Sequence, residues 1–260
     1  MKITVLFALL CLIVVGCQKE INVDLNEASP KLVIEANYIA TDSLVRVKVS
    51  YTGNYFDAYS SNLVNNAVIS IKASNGASVS VPFIGNGMYE LANYAPTYGA
   101  TYTIQVLHEG IAYEASSLLM PTMDFTPASY EYQEETLFSE AGYWVTYRFQ
   151  DPPGIGNCFK IIETYNDTTY NKFGDFRFGD DKNTDGNIRE LKIYEAFAIG
   201  DTIELELQSI NQSVFNYYDQ LSTNTSAFTA AQGNPDYYWT NEALGYFSAY
   251  GYKKQQIVIQ

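Results

Sequence analysis

The sequence predicts a mainly all-β protein: an N-terminal immunoglobulin-like β-sandwich over residues 31–122, then a second β-rich domain over 123–260 with one short helix. Three observations lead there. Apolar and polar side chains alternate with period two through much of the chain, turn-forming Asn, Asp and Gly punctuate those runs, and helical spacing is confined to one short segment.

The alternation starts with Lys31–Tyr38 and is clearest in Leu44–Tyr51, where Val45, Val47, Val49 and Tyr51 share one face and Arg46, Lys48 and Ser50 the other. Ala67–Lys72, Ser78–Val81 and Tyr102–Leu107 are likewise rich in β-branched and aromatic residues. Asn75-Gly76, Gly85-Asn86-Gly87 and Glu109-Gly110 supply residues that accept positive φ, and Ile111–Ala115 returns as the partner of a hairpin. About seven short strands in roughly 90 residues is the pattern of an immunoglobulin-like sandwich, an architecture that hosts many unrelated functions.

Met120–Pro127 is bracketed by prolines and marks the expected domain boundary. Beyond it, Gly142–Phe149 alternates and stops at the turn Asp151-Pro152-Pro153-Gly154, Cys158–Thr164 returns, and Thr202–Gln208 alternates aliphatic with carboxylate residues. The helix is expected over Ser213–Leu221, where Val214, Tyr218 and Leu221 recur at helical spacing behind Asn211 or Ser213 as a cap. Leu244–Tyr250 and Gln256–Ile259 read as closing strands, and Leu244-Gly245-Tyr246-Phe247 as a place where one backbone bends or closely approaches another.

The first residues carry an address. Lys2 precedes the apolar run Ile3–Val15, and Val14-Val15-Gly16-Cys17 resembles the lipobox of bacterial lipoproteins. Residues 1–16 are therefore expected to be a lipoprotein signal peptide, Cys17 the lipidated residue, and 17–30 a tether to the membrane through acyl chains on Cys17. Gln18-Lys19-Glu20 looks like the export signal that sends Bacteroidota lipoproteins to the outer face of the outer membrane, so a lipid-anchored outer-membrane location is expected, facing either the exterior or the periplasm. Cleavage after Gly16 would leave 244 of the 260 residues and, with Lys2 gone, take the formal charge from −14 to −15.

That charge, from 29 acidic against 15 basic residues, repels a phosphate backbone, and nucleic acid is not an expected partner. One histidine, His108, and three cysteines, Cys11, Cys17 and Cys158, leave little from which to build a Cys/His metal cluster or a histidine-centred triad. Cys158, in a strand, reads as a small buried hydrophobe. No catalytic residues and no enzymatic activity are expected.

Two segments are candidate sites. Asp181, Asn183 and Asp185, with Gly186 sixth from Asp181, resemble the first half of a calcium loop, but the twelfth position is Lys192 and a solvated polar hairpin turn accounts for the same residues. Calcium is accordingly the one cofactor considered. Tyr237, Tyr238 and Trp239 form a dense aromatic run that could stack on a ligand, although tyrosine and phenylalanine also fill sandwich cores. The carboxylate pairs Glu134/Glu135, Asp180/Asp181 and Glu204/Glu206 could serve a hydrolase, yet their spacing suits a solvated surface.

Several segments together resemble the domain-of-unknown-function family 4249 of Bacteroidota lipoproteins. They are Cys17–Leu25 leading to Pro30–Glu35, Gly110–Ser117 ahead of Met120-Pro121, Phe149–Gly154 with Asn157, and Asn234-Pro235 with Asn241 and Leu244–Tyr250. The resemblance implies an exported β-rich lipoprotein found alongside TonB-dependent outer-membrane transporters, with no catalytic residues to carry over. The expected function is a ligand- or partner-binding module accessory to such a transporter. The alternatives are a structural or adhesive envelope protein and, more distantly, a carboxylate-based hydrolase.

Overall fold

The computed structural model describes residues 29–53, 62–225, 235–236 and 238–260. The expected leader 1–16, Cys17, the tether as far as residue 28, and Tyr237 lie outside the described residues. No described helix is long and apolar enough to cross a membrane.

The architecture is all-β, as the alternation predicts. The strands are β1 (Leu32–Ile39), β2 (Leu44–Tyr51), β3 (Asn62–Leu63), β4 (Val68–Ala73), β5 (Val79–Ser80), β6 (Phe83–Gly85), β7 (Met88–Leu91), β8 (Thr101–His108) and β9 (Ile111–Leu118). There follow β10 (Phe125–Gln133), β11 (Gly142–Gln150), β12 (Cys158–Tyr165), β13 (Thr168–Tyr170), β14 (Arg177–Gly179), β15 (Ile188–Lys192), β16 (Thr202–Ile210) and β17 (Leu244–Val258), with helix α1 (Gln212–Thr225) ahead of the last strand. A long sheet runs β13-β12-β16-β17-β1-β2-β7-β6, with β14 on β12 and β3 on β2. The sheet β5-β4-β8-β9 covers one half of it and β10-β11-β15 the other.

Strand β17 ties the halves together. Its first half pairs in parallel with β1, from Val33↔Leu244 to Ile39↔Tyr250, and its second half pairs antiparallel with β16, from Ser209↔Gly251 to Thr202↔Val258. The two closing strands expected from sequence are thus one. Gly251 and the lysines 253–254 interrupt the alternation that would have revealed it. Trp239, Ala243, Phe247 and Ala249 join the core formed by residues 32–119, while Ile257 and Ile259 join the core formed by residues 123–207.

Two local features explain this closure. Gly245 has φ +95°, and a Cβ there would lie 2.2 Å from the carbonyl oxygen of Ile34, so only glycine lets β17 settle against β1. That same carbonyl accepts the Trp239 indole N–H at 3.1 Å. The Asn211 side chain caps α1 by accepting the Val214 N–H at 3.0 Å, and its amide donates to Ser117 Oγ, which also accepts the Ala249 N–H. Helix, β9 and β17 therefore meet at one buried polar junction.

Most of the 23 tyrosines turn out to be structural where the structure describes them. Tyr38, Tyr89, Tyr102 and Tyr147 are fully buried, and each hydroxyl is hydrogen bonded: to Tyr94 O, to Val64 O, to the Thr97 N–H and to Glu163 respectively. Glu163 is itself buried and holds β11, β12 and β14 together through Tyr147, Tyr165 and Arg177. Strand β10 was not expected, because Pro127 lies inside it. The register shifts between Thr126 and Ser129, on an edge strand, where a missing N–H is tolerated.

Candidate functional site

The end of the molecule where β17 finishes carries its most exposed apolar side chains. The β10–β11 hairpin closes through a tight turn: the Thr136 N–H donates to Ser139 O at 2.9 Å, their hydroxyls lie 2.7 Å apart, and the Phe138 N–H donates to Thr136 Oγ1. That turn presents Leu137 and Phe138 at 94% and 97% exposure. Beside it Tyr132, Gly142, Tyr143, Phe197 and Ile199 line a shallow groove of about 300 Å³. Tyr143 packs edge-on between Tyr130 and Tyr132, at 5.7 and 5.4 Å, and pairs with Phe197 through backbone hydrogen bonds, so the groove floor ties the β10–β11 hairpin to the segment between β15 and β16. Exposed Glu140 lines it as well, and Glu134 and Glu135, also exposed, lie just ahead of the turn in the chain. An apolar centre with acidic neighbours suits a protein surface with an apolar pocket and basic surroundings.

This end lies opposite the one where the chain enters. Gln260 N–H donates to Tyr130 Oη and Gly200 N–H to Ile259 O, placing the groove at the finish of β17, whereas Leu244 at its start pairs with Val33. Fifteen strand residues separate the two, a span of roughly 45 Å.

The acidic segment, whose sequence suits a solvated polar hairpin turn and resembles half a calcium loop, gathers carboxylates from two parts of the chain. The carboxylates that come within 4.8 Å of one another are Asp151, Asp181 and Asp185, and Asn183 is exposed. Nor is the segment a hairpin: β14 before it belongs to the long sheet and β15 after it to the sheet with β11, so it crosses between layers. Asp181 is buried and accepts N–H bonds from Gly156 and Asn157; Asp185 accepts from Gly154, and Asp151 from Gly186. Burial alone would push the Asp181 carboxyl up, but the donors of Gly156 and Asn157 outweigh it and hold it below the usual range. At Asp151 burial prevails and the carboxyl is raised. The three oxygens could face a hard cation, yet each carboxylate already takes a backbone donor and Arg189 stands close by on Asp180 O and Thr184. As built, the group locks the 152–157 turn onto the 181–187 crossing.

The aromatic run is dispersed. Trp239 sits in the first core at 2% exposure, so it offers no ring face to a ligand. Its indole N–H needs the Ile34 carbonyl, and a large ring with a buried partner packs inward. Tyr238 is largely covered, donates to Ser116 O, and has its hydroxyl pushed up to about 12 by burial. It borders a cleft of about 200 Å³ shared with Val33, Tyr217 and Leu244. Of the carboxylate pairs, Glu204 and Glu206 both face Lys254, at 2.8 and 3.6 Å. Cys158 is buried as expected, its thiol pushed up to about 12 by burial.

The sequence reading missed Leu137 and Phe138 because an acidic, turn-like segment drew attention to its carboxylates. Two large apolar residues adjacent in a short turn were the available signal. Asp151 was missed as a partner of Asp181 because 30 positions of chain separate them.

A family model described as a domain of unknown function, DUF4249, matches residues 18–256. The chain belongs to the DUF4249 family. No curated protein matches this DUF4249 chain. Among solved structures it is similar to a pullulanase from Anoxybacillus sp. LM18-11 complexed with maltotriose (TM-score 0.23, 10% identity, 67% of this chain and 24% of that one). It is also similar to a native α-L-rhamnosidase from Aspergillus terreus (0.30, 12%, 70% and 28%) and to the chicken CNTN1 FN1–FN3 domains (0.27, 8%, 90% and 67%). The DUF4249 chain spans about a quarter of the length of the two enzymes.

Proposed function

We propose that this protein is a lipid-anchored, non-enzymatic binding module of the outer membrane that offers the β10–β11 tip to a protein partner, of which a TonB-dependent transporter is the leading candidate. The observation that carries the reading is the ordered turn presenting Leu137 and Phe138 to solvent, because two large apolar side chains held outward by hydrogen bonds are costly unless something covers them. Its position supports the same reading. Anchoring through Cys17 would leave this tip at the membrane-distal end, free to meet a partner.

The test is affinity purification from solubilised membranes with the parent chain and with Leu137→Ser/Phe138→Ser. A partner that co-purifies with the parent and is lost from the double variant, while the melting temperature is unchanged, supports the reading. Equal recovery with both chains, or no partner with either, overturns it and favours a structural or adhesive role.

A further inference from the structure

The opposite end of the molecule has a different surface chemistry. Five large aliphatic side chains are exposed there: Leu63, Val68, Ile84, Leu107 and Ile111, with Val68 at 64% and Ile84 at 59%. Topology places them together. Leu63 pairs opposite Ser50, beside Tyr51, which pairs with Leu32 at the start of β1. Val68 pairs with Leu107, Ile111 pairs with His108, and His108 Nε2 lies 3.1 Å from Tyr51 Oη. Ile84 opens the turn whose Gly87 N–H donates to Asn65 Oδ1. The other exposed large apolar residues among the described residues of this sandwich, Phe83, Tyr98 and Leu118, sit one rung inward or at its other end.

Charge follows the same division. The protein holds 29 acidic residues, yet among the described residues of this end, 29–32, 51–53, 62–68, 84–88 and 106–112, Glu109 is the single carboxylate. Apart from Glu109, the turns draw on uncharged residues, Asn62, Asn65, Asn66, Asn86, Gly87 and Gly110. Such a surface gives up little hydration energy on meeting an interface, whereas the glutamates at the far end would resist it.

We infer that this end rests on the lipid surface, with the five aliphatic side chains entering the headgroup boundary. The inference builds on the proposed anchor at Cys17. From Cys17 the chain reaches Lys31 in 14 residues, a reach of at most about 50 Å. The tether therefore delivers this end to the bilayer and leaves the far end of β17 a further roughly 45 Å away. A second contact beside the acyl chains fixes orientation as well as attachment, and holds the Leu137–Phe138 tip outward.

Two experiments keep the anchor and the contact separate. Flotation of the natively expressed chain and of Cys17→Ala with membrane vesicles reads the anchor alone. For the contact, residues 18–260 are held on phosphatidylethanolamine/phosphatidylglycerol vesicles by an N-terminal histidine tag on a chelating lipid. A polarity-sensitive fluorophore is placed on Val68→Cys, Ile111→Cys, Tyr98→Cys or Leu118→Cys, since buried Cys158 does not compete for label. Blue-shifted emission, quenched by lipid-borne nitroxide at positions 68 and 111 and not at 98 and 118, is the expected result. Water-like, unquenched emission at 68 and 111 overturns the contact whether or not the native chain floats.

Discussion

Replacing Asp181 with alanine removes the acceptor for the Gly156 and Asn157 N–H groups, at 3.0 and 2.9 Å, and for the Asn157 amide at 3.3 Å. Asn157 is buried, so its donors lose their partner where water enters poorly; Gly156 is partly open. An orphaned buried donor costs about 1–3 kcal/mol, and relief of the repulsion between Asp181 and Asp151 returns a fraction of that, so the variant should lose about 3 kcal/mol. Asp181→Asn keeps one acceptor oxygen and should lose about half as much. Urea unfolding followed by tryptophan fluorescence at pH 7 reads the loss as a midpoint lower by about 1 M, given slopes near 2–3 kcal/mol per M for a chain of this size. The depressed carboxyl fixes the pH dependence: its contribution is present above the ordinary carboxylate range and disappears as pH falls through the lower folded value, so parent and variant converge in strong acid. Calcium at about 1 mM should leave the parent's midpoint unchanged, because backbone donors already satisfy the three carboxylates. An alanine variant within about 1 kcal/mol of the parent would refute the assigned role, and a calcium-dependent rise abolished by Asp185→Asn would reassign the junction as a cation site.

Two further outcomes test the frame. Lys160 lies over the Phe176 ring at 4.1 Å, and burial lowers its ammonium from 10.5 to about 8, with Glu206 opposing the shift. The unfolded chain binds the extra proton between those values, so stability should rise as pH is raised from about 8 toward 9.5, and Lys160→Met should be more stable than the parent at pH 7 by about 1–3 kcal/mol and lack the rise; a flat parent profile in chemical denaturation argues against it. Gly245→Ala should cost more than about 3 kcal/mol, since it combines positive φ with a Cβ driven into the Ile34 carbonyl, and a melting temperature within about 2 °C of the parent would contradict the packing of β17 on β1.

The elements legible in the sequence are those whose local chemistry agrees with their tertiary environment. Leu44–Tyr51 alternates because one face meets the core, and Glu109-Gly110 turns because both residues take positive φ. The bend or close approach expected at Leu244–Phe247 is realised at Gly245. What stayed hidden depends on partners distant in sequence. Strand β10 runs through Pro127 because its outer edge needs no donor there, and β17 continues past Gly251 and two lysines because β16 lies alongside it. Trp239 gave no sign of being buried, since its acceptor is 205 residues away. Asp181 was legible as a loop organiser and its partner Asp151 was not, while the Leu137–Phe138 tip looked polar because four glutamates surround it in sequence.

The parallel pairing of β1 with β17 also sets how the molecule bears force. Tension applied between the N-terminal end of β1 and the C-terminal end of β17 pulls two parallel neighbours in opposite directions, along the line of their seven paired positions. The ladder is then loaded in shear, all rungs at once, rather than opened one rung at a time as a hairpin pulled at its two ends would be. A load applied between the start of β1 and the end of β17 is thus resisted by the whole ladder together.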